Sequence, residues 1–106
     1  MTARLMTSLF LIAFLASCAN WVKLDEGAEN VRLVDSGEVA NCEHLGRTTA
    51  SVRERVGVYQ RRPGRVEEEL ANLARNSALE INGDTIVADG AVNDGRQRFR
   101  IYRCLR

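Results

Sequence analysis

The sequence has one histidine, one proline and no excess of either charge, with 15 Lys and Arg against 14 Asp and Glu in 106 residues. Each scarcity excludes something. With His44 as the single histidine, no Ser/His/Asp set stands in a recognisable context, and there is neither a paired-carboxylate signature nor a glycine-rich phosphate loop. The sequence therefore points away from an enzyme, and no cofactor or metal is expected. The charge balance gives no global attraction to nucleic acid. Long hydrophobic runs are also missing. Leu5 to Ala16 is a stretch of twelve mostly apolar residues without a charge, whereas a membrane-spanning helix needs about 20. A chain of this length has room for one domain.

That short run fits an export signal. Met1 to Arg4 forms a positively charged opening, and the core has the roughly 7 to 15 residues of a signal peptide. It ends at the first of three cysteines, Cys18, Cys42 and Cys104. The segment Leu15-Ala16-Ser17-Cys18 resembles the bacterial lipobox, an aliphatic residue and two small ones before a cysteine. The resemblance implies that residues 1–17 are removed, that the Cys18 thiol takes a diacylglyceryl group, and that its new amino group is acylated. The membrane would then be reached through this N-terminal lipid. Two or three chains, at about 0.8 kcal/mol per buried methylene, make a firm anchor. The alternative is ordinary secretory cleavage after Ala19, reading Ser17-Cys18-Ala19 as a small-x-small site. Ala19 in place of aspartate favours the outer membrane, by analogy with enterobacterial sorting. Loss of Arg4 leaves 14 side chains of each sign.

In the oxidising compartment that follows from export, Cys42 and Cys104 are expected to form a disulfide. A bridge closing roughly 60 residues contributes around 4 kcal/mol in the loop-entropy picture. The redox pattern Cys-x-x-Cys is absent. Cys42 and His44 would share a strand face, but no acidic cluster joins them into a metal site; His44 reads better as a strand residue at a sheet margin.

Along the exported chain, residues 18–30 read as a lipid-anchored tether, with Trp21 and Val22 either at the membrane interface or against the domain. Residues 31–106 form the domain. Val31-Arg32-Leu33-Val34 is a short strand ended by the turn formers Asp35-Ser36-Gly37. A second extended run from Cys42 through Leu45, Thr48 and Ala50 completes an expected antiparallel pair. RERVGVYQRRPG, residues 53–64, reads as a loop, in part a continuation of the second strand, and Arg61-Arg62-Pro63-Gly64-Arg65 as its basic cluster. Val66, Leu70, Leu73, Ala74, Ser77, Ala78 and Ile81 then form one apolar stripe on a helix of about four turns. Glu67, Glu68 and Glu69 suit its first turn and Gly83 a left-handed cap. Asp84 to Ala88 is a strand. After a turn at Asn93-Asp94-Gly95, Gln97 to Leu105 alternates Phe99 and Ile101 on one face with Arg98, Arg100, Tyr102 and Cys104 on the other. The expected fold is α+β, a small antiparallel sheet in ββαββ order with the helix on one face and the disulfide tying the second strand's start to the last strand's end. The arginines of the last strand are what a half-exposed strand shows, and they also suit contact with envelope phosphates or carboxylates.

Together the signal segment, VRLVDSGEVANCEHLGRTTA, NLARNSALEINGDTIV and IYRC resemble small uncharacterised proteobacterial lipoproteins of the YjeI type, a domain of unknown function. They are distantly similar to the outer-membrane lipoprotein that senses envelope stress for the Rcs phosphorelay. The resemblance carries Cys18 as the lipid site and Cys42 with Cys104 as the bridge. It implies a lipid-anchored envelope protein facing the periplasm, with a structural or protein-interaction role, an envelope protein partner and no nucleic acid. Alternatives are a stress-sensing or regulatory lipoprotein and a small-ligand or cell-wall-binding module.

Overall fold

The computed structural model describes residues 22–105 except 54, 57, 58 and 61, and side chains in that range except 54–61. The signal segment, Cys18, Trp21 and Arg61 lie outside the described residues. The chain runs through a 3-10 turn η1 (Ala28–Asn30), β1 (Arg32–Leu33), a second 3-10 turn η2 (Ser36–Val39), β2 (Glu43–Ser51), β3 (Arg55–Val56), β4 (Tyr59–Gln60), the helix α1 (Pro63–Glu80), β5 (Thr85–Ala88) and β6 (Arg96–Arg103). Four strands make one sheet in the order β1-β5-β6-β2, and β3 and β4 pair with each other. The class is α+β and, among the described residues, one α-helix packs on one sheet face.

The sheet is mixed, which corrects the expected antiparallel ββαββ arrangement. β1 pairs parallel with β5, while β5 and β2 both pair antiparallel with β6. β1 and β2 therefore run in the same direction at opposite edges and do not touch as partners. The segment between them explains why. Asp35 and Glu38 form a reciprocal capping box, the Asp35 N–H donating to Glu38 Oε2 at 2.9 Å, so the turn formers begin a 3-10 turn that carries the chain across the sheet rather than reversing it. Val39 at its end is buried with Val87 and Tyr102 on the face opposite the helix. The loop expected at residues 53–64 also contains structure: β3 and β4, and then the first residues of α1.

The helix face holds the main core. Phe99 and Ile101 from β6, Ile86 from β5 and Ala50 from β2 meet Val66, Leu70, Ala74 and Ala78 of α1. The expected stripe is largely the buried one, although Leu73 and Ser77 are only partly covered and Ile81, just past the helix, is 43% exposed. Helix boundaries shift outward at the N-terminus. Pro63 is the first helical residue, after Arg62 in extended conformation, because a fixed φ and a missing N–H suit that position. Glu67 to Glu69 thus fall beyond the first turn, and Glu69 is buried, not dipole-facing.

Gly83 also has a different task from the one expected. The left-handed residue is Asn82, φ 62°, and the Gly83 N–H donates to Ala78 O at 2.7 Å while the Asn82 N–H donates to Leu79 O at 3.2 Å, the paired bonds of a Schellman end. Gly83 is required because a Cβ there would run into Ile101 Cγ2. Replacing Gly83 by alanine should therefore destabilise the domain by about 1–3 kcal/mol through overpacking. Gly64→Ala, in the open first turn of α1 with nothing within 4 Å, should stabilise it by about 0.4–1 kcal/mol. Urea unfolding of the two variants measures both signs.

Residues 22–30, read from the sequence as part of a tether, pack on the outside of α1. Asn76 accepts from the Asp25 N–H and donates to Lys23 O, each at 2.8 Å. Arg75 Nε donates to Val31 O at 3.0 Å. Ala28 is fully buried. The incoming chain thus enters on the helix layer, behind the sheet.

Candidate functional site

Interest concentrates on the sheet face away from α1. Cys42 lies just before β2 and Cys104 just after β6, so the antiparallel register brings them side by side: their Cα atoms are 4.5 Å apart and the disulfide is formed across a sequence separation of 62. It closes the ladder beyond the Glu43–Arg103 pair. His44, exposed on β2, meets the Tyr102 ring edge to face at 5.2 Å. With Cys42 bridged, the Cys42–His44 pair offers no thiolate to a metal, and among the described residues no three His, Cys, Asp or Glu side chains converge on a cation position. Among the described residues, too, no helix is long and apolar enough to cross a membrane.

Asp84 secures the end of the chain, a role that sequence reasoning missed. Its Oδ1 accepts from the Cys104 N–H and its Oδ2 from the Leu105 N–H, both at 2.8 Å, and Thr85 Oγ1 donates to Oδ1 at 2.9 Å. Partial burial pushes its pKa upward, but the two backbone N–H groups, the Thr85 hydroxyl and the Arg103 charge outweigh this and hold the carboxyl below its ordinary 3.8. The nearest sequence signal was an acidic residue read as the first of the strand Asp84 to Ala88, which by itself says nothing of a partner 20 residues on; in the structure β5 starts at Thr85 and leaves Asp84 just before it.

β6 carries Arg96, Arg98 and Arg100 on the face shared with Tyr102. The register sets Arg47 opposite Arg100, Thr49 opposite Arg98 and Ser51 opposite Arg96. Arg47, Arg96 and Arg98 are exposed and Arg100 is half-buried. Arg100 leans toward the Tyr102 ring, its guanidinium carbon 6.0 Å from the ring centre, and its Nε is buried without a hydrogen-bond partner. Beside it is a cleft of about 720 Å³ under η2, lined in part by Leu33, Val34, Asp35, Glu38 and Val87. A second, polar hollow of about 510 Å³ joins Thr49, Arg96 and Arg98 to Asp89 and Asp94. The alternation of the β6 arginines was readable in the sequence. That Arg47 joins them was not, because it depends on strand register. The sequence-noted Arg62 and Arg65 are exposed at the start of α1, away from this group.

Residues 22–104 match Domain of unknown function (DUF4156), and the chain belongs to that family. No curated protein and no solved structure matches it.

Two measurements check the corner. Cys42→Ser with Cys104→Ser should lower unfolding stability by about 4 kcal/mol, read from urea curves compared with the oxidised protein. Because the Asp84 pKa is depressed in the folded state, its contribution is complete above the ordinary value and is lost as pH falls through that value toward the folded one. Asp84→Asn should therefore be less stable at pH 7 and lose less stability than the parent between about pH 5 and pH 2, measured by thermal unfolding against pH.

Proposed function

We propose that the chain is a lipid-anchored cell-envelope protein with a non-catalytic structural or protein-interaction role, held to the membrane by a diacylglyceryl group on Cys18 and facing the periplasm. The observation that carries the reading is the Leu15-Ala16-Ser17-Cys18 motif at the end of an apolar run too short to span a bilayer. The disulfide supports it in two ways. Cys42 and Cys104 are bonded to each other, which fits an exported domain and leaves Cys18 as the one thiol of three not used by the bridge. The likeness to YjeI-type lipoproteins agrees with this assignment. The outer membrane follows from Ala19 by the sorting analogy. A domain stapled at one end and presenting a charged sheet face with Arg47, Arg96 and Arg98 exposed suits binding to another macromolecule better than turnover of a substrate.

Intact mass of the full chain produced in a Gram-negative host tests the anchor. The expected product starts at Cys18 and carries two or three acyl chains, and Cys18→Ser should leave the membrane fraction or retain residues 1–17. A lipid-free mature chain starting at Asn20 would overturn the lipoprotein reading in favour of ordinary secretion.

A further inference from the structure

The face opposite α1 gathers charge that the domain does not neutralise. Arg96, Arg98 and Arg100 follow one another at every second position of β6, about 6.6–6.8 Å apart along the strand, and Arg47 stands directly across from Arg100. Like charges facing one another across a strand pair are destabilising. Among the described residues no carboxylate is paired with any of the four, although Asp89 and Asp94 border one end and Asp35 and Glu38 the cleft at the other. Arg100 makes no hydrogen bond through its buried Nε, so nothing among the described residues fixes its guanidinium charge there. In a chain whose charges otherwise balance, this is a directed surface.

We infer that the Arg47, Arg96, Arg98 and Arg100 face is a docking surface for an extended acidic segment of a partner protein. Resting on the lipoprotein reading, this names the partner's chemistry. An extended polypeptide with acidic residues at alternate positions repeats its carboxylates at the same spacing as the β6 arginines, and guanidinium forks bind carboxylates bidentately. Among the described residues β2 has a strand partner on one side only, and its outer edge offers main-chain groups to a strand laid alongside.

The geometry of attachment argues against the anchoring membrane as the occupant. The incoming chain is held at Lys23 and Asp25 on the outer side of α1. From Cys18 to Val22 the chain spans at most about 14 Å, short of the roughly 20 Å made by a helix about 10–12 Å thick with its side chains and the sheet layer of about 10 Å beneath it. A bilayer reached through Cys18 therefore lies on the helix side, and the arginine face looks away from it.

The test uses the full chain in detergent and a fluorescein-labelled peptide of six Glu-Thr repeats, followed by fluorescence anisotropy at low salt. Binding should weaken about tenfold in the double variant Arg96→Gln, Arg98→Gln, as expected for lost charge contacts across an interface. It should hold in Arg62→Gln, Arg65→Gln, which removes the same charge at the start of α1. Unchanged thermal unfolding separates lost binding from lost folding. A peptide of Gln-Thr repeats that binds equally well, equal weakening in both double variants, or no binding at all overturns the proposal. So does protein that floats with vesicles containing phosphatidylglycerol through these arginines while ignoring the peptide. Because intact mass reads the lipid independently, acylated protein that fails to bind peptide overturns only the docking proposal.

Discussion

The antiparallel ladder between β2 and β6 is the constraint on which the rest of the domain depends. It joins segments whose flanking cysteines are 62 residues apart in the chain, and closing so long a loop costs entropy before any contact rewards it. Backbone pairing along the whole ladder from Glu43 to Ser51 offsets that cost, joined at one end by the Cys42–Cys104 bridge and by the Asp84 carboxylate that holds the N–H groups of Cys104 and Leu105. With β6 in place, β5 pairs as its local neighbour and β1 adds in parallel, the N–H groups of Arg32 and Val34 donating to Asp84 O and Ile86 O. The tight fit of Gly83 against Ile101 then sets how closely the end of α1 approaches the same strand.

β6 divides the molecule into two unlike faces. Phe99 and Ile101 close one of them under α1, where alanines at 74 and 78 let the helix sit close. On the other, η2 covers only the part around Val39, Val87 and Tyr102, and the remainder is left to arginines. The incoming chain crosses the helix side. The incoming chain and the arginines therefore lie on opposite layers of the domain.

Much of this was legible from patterns that act locally. The stripe from Val66 to Ala78 and the alternation of Phe99 and Ile101 with arginines follow from the periods of helix and strand, and those periods survived folding because each element buries one face. Errors arose where a residue type has more than one physical use. Pro63 was read as loop and starts the helix; Gly83 was read as a left-handed cap and is a point of close approach, the left-handed angle falling to Asn82. Asp35-Ser36-Gly37 looked like a reversal and became a capped 3-10 turn crossing the sheet, so β1 and β2 were paired when they belong at opposite edges.

The sequence by itself determined the helix α1 and its buried stripe, the strands that flank it, and the pairing of Cys42 with Cys104 once Cys18 was set aside. All of these depend on composition, spacing and parity within short windows or among three residues. Tertiary structure alone decided the mixed strand order, the covering of the second face by η2, the Asp84 clamp and the joining of Arg47 to the β6 arginines. Those features depend on which distant segments become neighbours and in what register, and register is set by the summed fit of a whole sheet rather than by any stretch of the chain read alone.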